Sequence, residues 1–281
     1  MDTYTKNIIF SILTLIILWH QTLFAESRQS CKKIQNLKPS NSVTAYYDFV
    51  YACRDKSAPA RITNIVKKLK DVVNKNDCLE AFKELKKKKF LVLRFSNITS
   101  IEPLASFTQL QELSLGGNSI SDIKPISKIT SLKKLNLGGL LGYNQIADLS
   151  PLKTLNQLEE LHVNRNCVSN IQALKSLKNL KFLDLSGNSI EDLSPIKDLS
   201  KLIELKMYSN HIKDISPLIG LAELKALNLN HNQISNVRPL GQLKALKRLW
   251  LRGNKISDFS PLEVQRPHFE LLLIEGNKTS N

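Results

Sequence analysis

The sequence predicts an α/β solenoid, with a parallel β-sheet on its concave face, short 3-10 or helical turns on its convex face, and an N-terminal α-helical cap. Three observations lead there. From about residue 90, leucines recur at Leu91, Leu113, Leu135, Leu161, Leu183, Leu205, Leu227 and Leu249, in steps of 22 residues with one step of 26. Asparagines keep the same register at Asn118, Asn144, Asn166, Asn188, Asn210, Asn232 and Asn254, and prolines at Pro103, Pro125, Pro151, Pro195, Pro217, Pro239 and Pro261. Before residue 90 the apolar period becomes helical, with Ile62, Ile65, Val66, Leu69, Val72 and Val73 on one stripe. A period of this length marks units that cannot bury an apolar face alone and must stack.

The chain begins with Lys6, an apolar run from Ile8 to Trp19, and the small residue Ala25 before a polar stretch. That pattern predicts a secretory signal peptide over residues 1–25, cleaved after Ala25, with a retained signal anchor as the alternative. Residues 26–89 are expected to form the helical cap. One helix follows the Ile62 to Val73 stripe. A second opens at Asp77-Cys78-Leu79-Glu80 with a capping-box pattern, and a third spans Val43 to Cys53. Residues 90–281 are expected to hold about eight repeats and a short closing strand formed by Phe269, Leu272 and Ile274.

Within a repeat each position has a physical task. Leu183 and Leu185, two apart, enter the core from a short strand while their neighbours face the other way. Asn188 turns the chain inward, where its amide can satisfy backbone groups of adjacent coils. Ile190 and Leu193 fill the core on the way out, and Pro195 presets φ for the convex turn. The departures are Ser96 in place of the first Asn, Ala173 in place of a Pro, and four extra residues around 138–143. Those four are expected to form either an apolar contact loop or an insertion whose Leu140 and Leu141 fold back into the core.

The run from Leu180 to Asn188 reads L-x-x-L-x-L-x-x-N, the leucine-rich repeat pattern. With its tail, seen in Asp122-Ile123-Lys124-Pro125-Ile126 and Asp214-Ile215-Ser216-Pro217-Leu218, it resembles the 22-residue repeats of bacterial internalins and of a regulatory subunit of protein phosphatase 1. The resemblance covers about two thirds of the chain. It implies a bacterial, exported binding protein with an envelope or host-facing role.

Composition narrows the function classes. A hydrophobic fraction of 42% with only 6% aromatic residues implies a folded core built from Leu and Ile. The net charge of +15 is uneven: residues 26–89 carry +9 and residues 90–281 carry +6. A basic cap can attract a glycan or another anionic polymer. Nucleic acid is not expected, because no aromatic residues interleave with the lysines. Four cysteines in an exported chain suggest disulfides. Cys53 with Cys78 is the expected pair, leaving Cys31 and Cys167 free or weakly paired and Cys167 exposed.

No H-E-x-x-H, G-x-S-x-G or phosphate-loop pattern occurs, so neither catalysis nor a metal or cofactor is expected. What remains is a binding surface for a protein ligand, on a chain expected to be monomeric. Residues flanking the strand leucines form concave columns: Phe182, Asp184, Ser186; Glu204, Lys206, Tyr208; Ala226, Asn228, Asn230; Arg248, Trp250, Arg252. Tyr, Trp and Arg dominate interface hot spots. The site is therefore expected to centre on Tyr208, Trp250 and Arg252, with Arg248, Lys206, Asn228, Asn230, Asp184 and His162 around them. The alternatives are a glycan or anionic-polymer binder using the cap, and a cytosolic regulatory subunit of an enzyme such as a phosphatase.

Overall fold

The computed structural model of the chain describes residues 48–139 and 143–277. The expected signal peptide, Cys31, Leu140 and Leu141 lie outside the described residues. Three helices come first: α1 (Phe49–Arg54), α2 (Ala60–Val73) and α3 (Cys78–Lys87). Nine three-residue strands follow: β1 (Phe90–Val92), β2 (Glu112–Ser114), β3 (Lys134–Asn136), β4 (Glu160–His162), β5 (Phe182–Asp184), β6 (Glu204–Lys206), β7 (Ala226–Asn228), β8 (Arg248–Trp250) and β9 (Leu271–Leu273). They form one parallel sheet in sequence order, each strand returning beside its predecessor after a convex 3-10 turn.

The register stacks like on like. Leu91, Leu113, Leu135, Leu161, Leu183, Leu205, Leu227 and Leu249 are in-line partners, and β9 continues the column with Leu272. The leucines from 91 to 249 are all buried, with Ile120, Ile190, Ile212 and Ile234 behind them, so the core is a set of aliphatic columns along the solenoid. The convex turns owe their start to a local device. The Oδ1 atoms of Asp148, Asp192, Asp214 and Asp258 accept the backbone N–H groups of Ser150, Ser194, Ser216 and Ser260, each just ahead of a proline. In the repeat with Ala173, Asn170 accepts the Gln172 N–H in the same way, and the turn forms over Gln172–Ser176 without its proline.

The asparagines form a ladder between coils. Asn188 Oδ1 accepts the Val168 N–H at 3.0 Å, while Nδ2 donates to the carbonyls of Val163 at 3.0 Å and Leu185 at 2.9 Å. Asn118, Asn144, Asn166, Asn210, Asn232 and Asn254 repeat this, and all are buried. Asn277 adds a last rung by bonding Ile256, Leu251 and Ile274. The long third repeat does not break the series. Asn144 Nδ2 reaches the Leu137 carbonyl, seven residues back instead of the usual three, so the extra residues fall between those two points.

A left-handed backbone recurs at one repeat position in most coils. Gly253, with φ of 65°, holds it in the β8 coil, and a Cβ there would run into the His231 ring of the preceding coil. Gly117, Gly187 and Gly276 match it, while Phe95, Arg165, Ser209 and His231 hold the same position at positive φ, which costs these residues about 1 kcal/mol each relative to glycine.

The cap closes the first coil. Ile62, Ile65 and Leu69 of α2 and Ala81 and Leu85 of α3 are buried in one core with Ile98, Ile101 and Leu104. Phe49, Phe82 and Phe107 pack ring on ring where cap meets repeat, with centroids 5.5 to 6.2 Å apart. Gln109 Nε2 donates to the carbonyls of Leu85 and Lys88, satisfying the end of α3. Asp77 caps α3 by accepting the N–H groups of Leu79 and Glu80. The first helix differs from the expected span of Val43 to Cys53. Asp48 accepts the Tyr51 N–H, which starts the helix at Phe49, and it runs to Arg54; residues 43–47 lie outside the described residues.

Cys53 on α1 and Cys78 at the start of α3 are disulfide-bonded, with Cα atoms 5.8 Å apart. Cys167 corrects the expectation of an exposed thiol. It is 2% exposed and disulfide-bonded, and its N–H donates to the Ile146 carbonyl as the chain turns inward after Asn166.

Candidate functional site

The three-residue strands carry two columns of side chains on their concave face. Preceding each strand leucine are Phe90, Glu112, Lys134, Glu160, Phe182 and Glu204, then Ala226, Arg248 and Leu271. Following it are Val92, Ser114, Asn136, His162, Asp184 and Lys206, then Asn228, Trp250 and Leu273. Because adjacent strands are about 4.8 Å apart, consecutive members of a column touch.

Opposite charges within the first column link parts of it. Lys134 Nζ lies 3.9 Å from Glu112 and 3.7 Å from Glu160, and Arg248 reaches Glu204 at 3.9 Å. The columns are also joined crosswise: His162 Nε2 is 2.8 Å from Glu160 Oε1, and Lys206 Nζ is 2.8 Å from Glu204 Oε1. The hydrogen bond from Lys206 to Glu204 holds the Lys206 ammonium above its ordinary value. In the middle of the sheet these side chains surround a hollow of about 150 Å³ over Leu183. Its walls are Glu160, His162, Phe182, Asp184, Glu204 and Lys206. A second hollow of about 300 Å³ adjoins it toward β1, where Phe90 and Val92 are 65% and 62% exposed.

The residues expected from the sequence divide into two groups. His162, Asp184 and Lys206 are direct neighbours in one row and line the central hollow. Tyr208, Trp250 and Arg252 do not meet there. Tyr208 is half-buried on the coil of β6, its hydroxyl is hydrogen-bonded to Arg165, and burial pushes its pKa up. Arg252 is held by Glu275, Nε to Oε2 at 2.6 Å, which raises the guanidinium pKa and lowers that of the carboxyl. Trp250 and Arg248 stand on β8, two strands from Lys206. Asn228 and Asn230 serve the backbone: Asn228 Oδ1 accepts the Asn230 N–H and Asn230 Oδ1 the Arg252 N–H. Ser186 and Ala226, placed on the exposed columns by register, are buried.

Glu160, Phe182 and Glu204 complete the hollow; Phe182 and Glu204 stand in the expected concave columns but outside the expected site, and the sequence did not single out Glu160. The signal that could have found them is the Glu112, Lys134, Glu160, Phe182, Glu204 series one residue before each strand leucine.

A single parallel sheet gaining one strand per coil, with asparagine rungs between coils, defines a leucine-rich repeat solenoid. The family model described as Leucine Rich repeats (2 copies) matches residues 89–127, 108–142, 178–220 and 222–264. The chain thus carries leucine-rich repeats, and its fold is similar to that of bacterial internalins. An internalin (inlF) from Listeria monocytogenes is similar at 28% identity and a TM-score of 0.63, over 78% of this chain and 70% of that one. An internalin C2 (inlC2) from the same species is similar at 27% identity and a TM-score of 0.66, over 74% and 90%. A leucine-rich repeat protein of Leptospira interrogans shares the fold at 24% identity and a TM-score of 0.53, over 73% and 65%. No curated protein matches the chain in sequence.

Proposed function

We propose that this chain is an exported, non-enzymatic binding protein that recognises a protein partner on its concave sheet. The observation that carries the reading is the central hollow, where charged and aromatic side chains stand on a sheet held rigid by the asparagine ladder. Rigid display lowers the ordering cost of association, and a wall of carboxylates, a lysine, a histidine and an aromatic ring is suited to a polypeptide. Export is supported by the Cys53 to Cys78 disulfide, since such bonds persist in oxidising compartments, and by the likeness to internalins. The same bond counts against a cytosolic regulatory subunit.

The test is a displayed peptide library selected on the full chain. The bound peptides are then measured against Phe182→Ala, Lys206→Ala and Trp250→Ala. Loss on the concave variants, with binding kept when Lys67 and Lys68 of α2 are changed to Glu, is the expected result. Peptides indifferent to every concave substitution refute it.

A second reading has its own observation. Lys67, Lys83, Lys86, Lys87 and Lys89 are exposed on or just after α2 and α3, which suits an anionic polymer such as an acidic glycan. Binding of heparin that weakens steeply with added salt, and that is lost with the Glu substitutions in α2, would favour it.

A further inference from the structure

We propose that the hollow across β4, β5 and β6 is a socket for an arginine side chain of the protein partner. The inference rests on the concave-face reading and adds the chemistry that the face selects.

Glu160, Phe182 and Glu204 are in register on three adjacent strands, so a carboxylate stands on either side of an aromatic ring, with the two backbones about 10 Å apart. Phe182 is 38% exposed, although it sits on the central strand of nine. Its ring therefore offers an apolar face to whatever enters. The neighbouring row is His162, Asp184 and Lys206.

The carboxylates have acceptor capacity left. Glu160 and Glu204 each use Oε1 on His162 and Lys206, at 2.8 Å in both cases. Their Oε2 atoms have cations only at 3.7 Å, from Lys134, and 3.9 Å, from Arg248, beyond hydrogen-bonding distance. Asp184 Oδ1 accepts the Ser186 N–H at 3.0 Å, and Asp184 is in no ion pair among the described residues. Within the lining three carboxylates thus face one lysine and one histidine, with Lys134 and Arg248 outside it at ion-pair but not hydrogen-bonding distance, in a chain whose net charge is +15.

An anion would meet the three carboxylates, and a purely apolar side chain would desolvate their remaining oxygens without adding a hydrogen bond. A cation satisfies them. Arginine fits better than lysine for geometric reasons. Its planar guanidinium stacks on a ring, its five N–H groups fork toward acceptors on both sides, and it is more weakly hydrated than an ammonium.

The experiment needs no identified partner. Acetyl-arginine amide and acetyl-lysine amide are titrated into the full chain while the ring resonances of His162, assigned by their loss in His162→Asn, are followed by NMR. The expected result is a saturable shift with the arginine amide, binding about tenfold weaker for the lysine amide, and no shift in Phe182→Ala or in Glu160→Gln combined with Glu204→Gln. Circular dichroism reports that these surface variants remain folded. An unmoved His162 signal overturns the proposal, as does an equal response to both amides or an unchanged response in Phe182→Ala. Failure of the wider reading looks different. Peptides selected on the chain would then ignore concave substitutions altogether, whereas a failed socket leaves peptides that depend on the concave face but not on arginine.

Discussion

Replacing Asn188 with alanine tests the ladder at one rung, and the structure sets the size of the effect. Asn188 is buried and makes four hydrogen bonds: it accepts from Val168 N–H, donates to the carbonyls of Val163 and Leu185, and donates more weakly to that of Ser186 at 3.4 Å. The two carbonyls do not lose everything, because Asn166 also donates to Val163 at 3.2 Å and Asn210 to Leu185 at 3.1 Å. The loss falls on the Val168 N–H, for which Asn188 is the acceptor in a buried coil. One orphaned buried donor costs about 1 to 3 kcal/mol, and two weakened carbonyls bring the expected loss to about 2 to 3 kcal/mol. Asn188→Asp keeps the acceptor but turns a carboxylate oxygen toward two carbonyl oxygens. It should cost at least as much at neutral pH and recover in part as acid protonates it. Urea unfolding followed by circular dichroism measures the loss, and hydrogen exchange at the Val168 amide locates it. A midpoint equal to the parent's, or a loss no greater than for Asn236→Ala on the exposed convex side, would refute the reasoning.

Three further outcomes are expected. Replacing Cys53 and Cys78 together with serine should destabilise the cap by about 3 kcal/mol, seen as faster hydrogen exchange in α1 and α3 with the amides of β5 and β6 unchanged. Leu249→Ala should cost about 2 to 5 kcal/mol in urea unfolding, whereas Trp250→Ala, one residue on but half-buried on the concave face, should cost about 1 kcal/mol or less. The hydrogen bond from Arg252 lowers the Glu275 pKa in the folded chain, so this pair's stabilisation is present above the ordinary glutamate value of 4.5 and fades as pH falls through the depressed one. Exchange at the Leu251 and Gly253 amides, which bond the closing coil, should therefore slow less on acidification than base-catalysed chemistry predicts, and Glu275→Gln should abolish that difference.

The coil was legible because its constraints are local and repeated: a leucine pair for the strand, an asparagine for the turn and a proline for the convex side recur whatever lies between them. Ala173, in place of the proline, pointed instead to an altered convex turn, yet Gln172–Ser176 forms the ordinary one because Asn170 supplies the hydrogen bond that starts it. The site was harder to read. Tyr208 and Arg252 look like free contact residues in sequence, yet Arg165 and Glu275 occupy them, and Glu275 lies beyond the eight regular coils. Arg165 comes within reach of Tyr208 from two coils away, a pairing that repeat register alone does not announce. Cys167 misled for a similar reason, since its position in the repeat is half-exposed or exposed in the other coils, whereas Cys167 is disulfide-bonded and buried.

The long third repeat has a consequence for how such a protein can change. Asn144 bonds to Leu115, Leu137 and Ile120 as its counterparts do, so the detour between Leu137 and Asn144 imposes no shift on the coils before or after it. Lengthening that detour costs only the slowly growing entropy of closing a longer loop. This coil is thus a docking bay for new sequence: a segment spliced in there could evolve its own specificity while the columns beneath it keep their pitch.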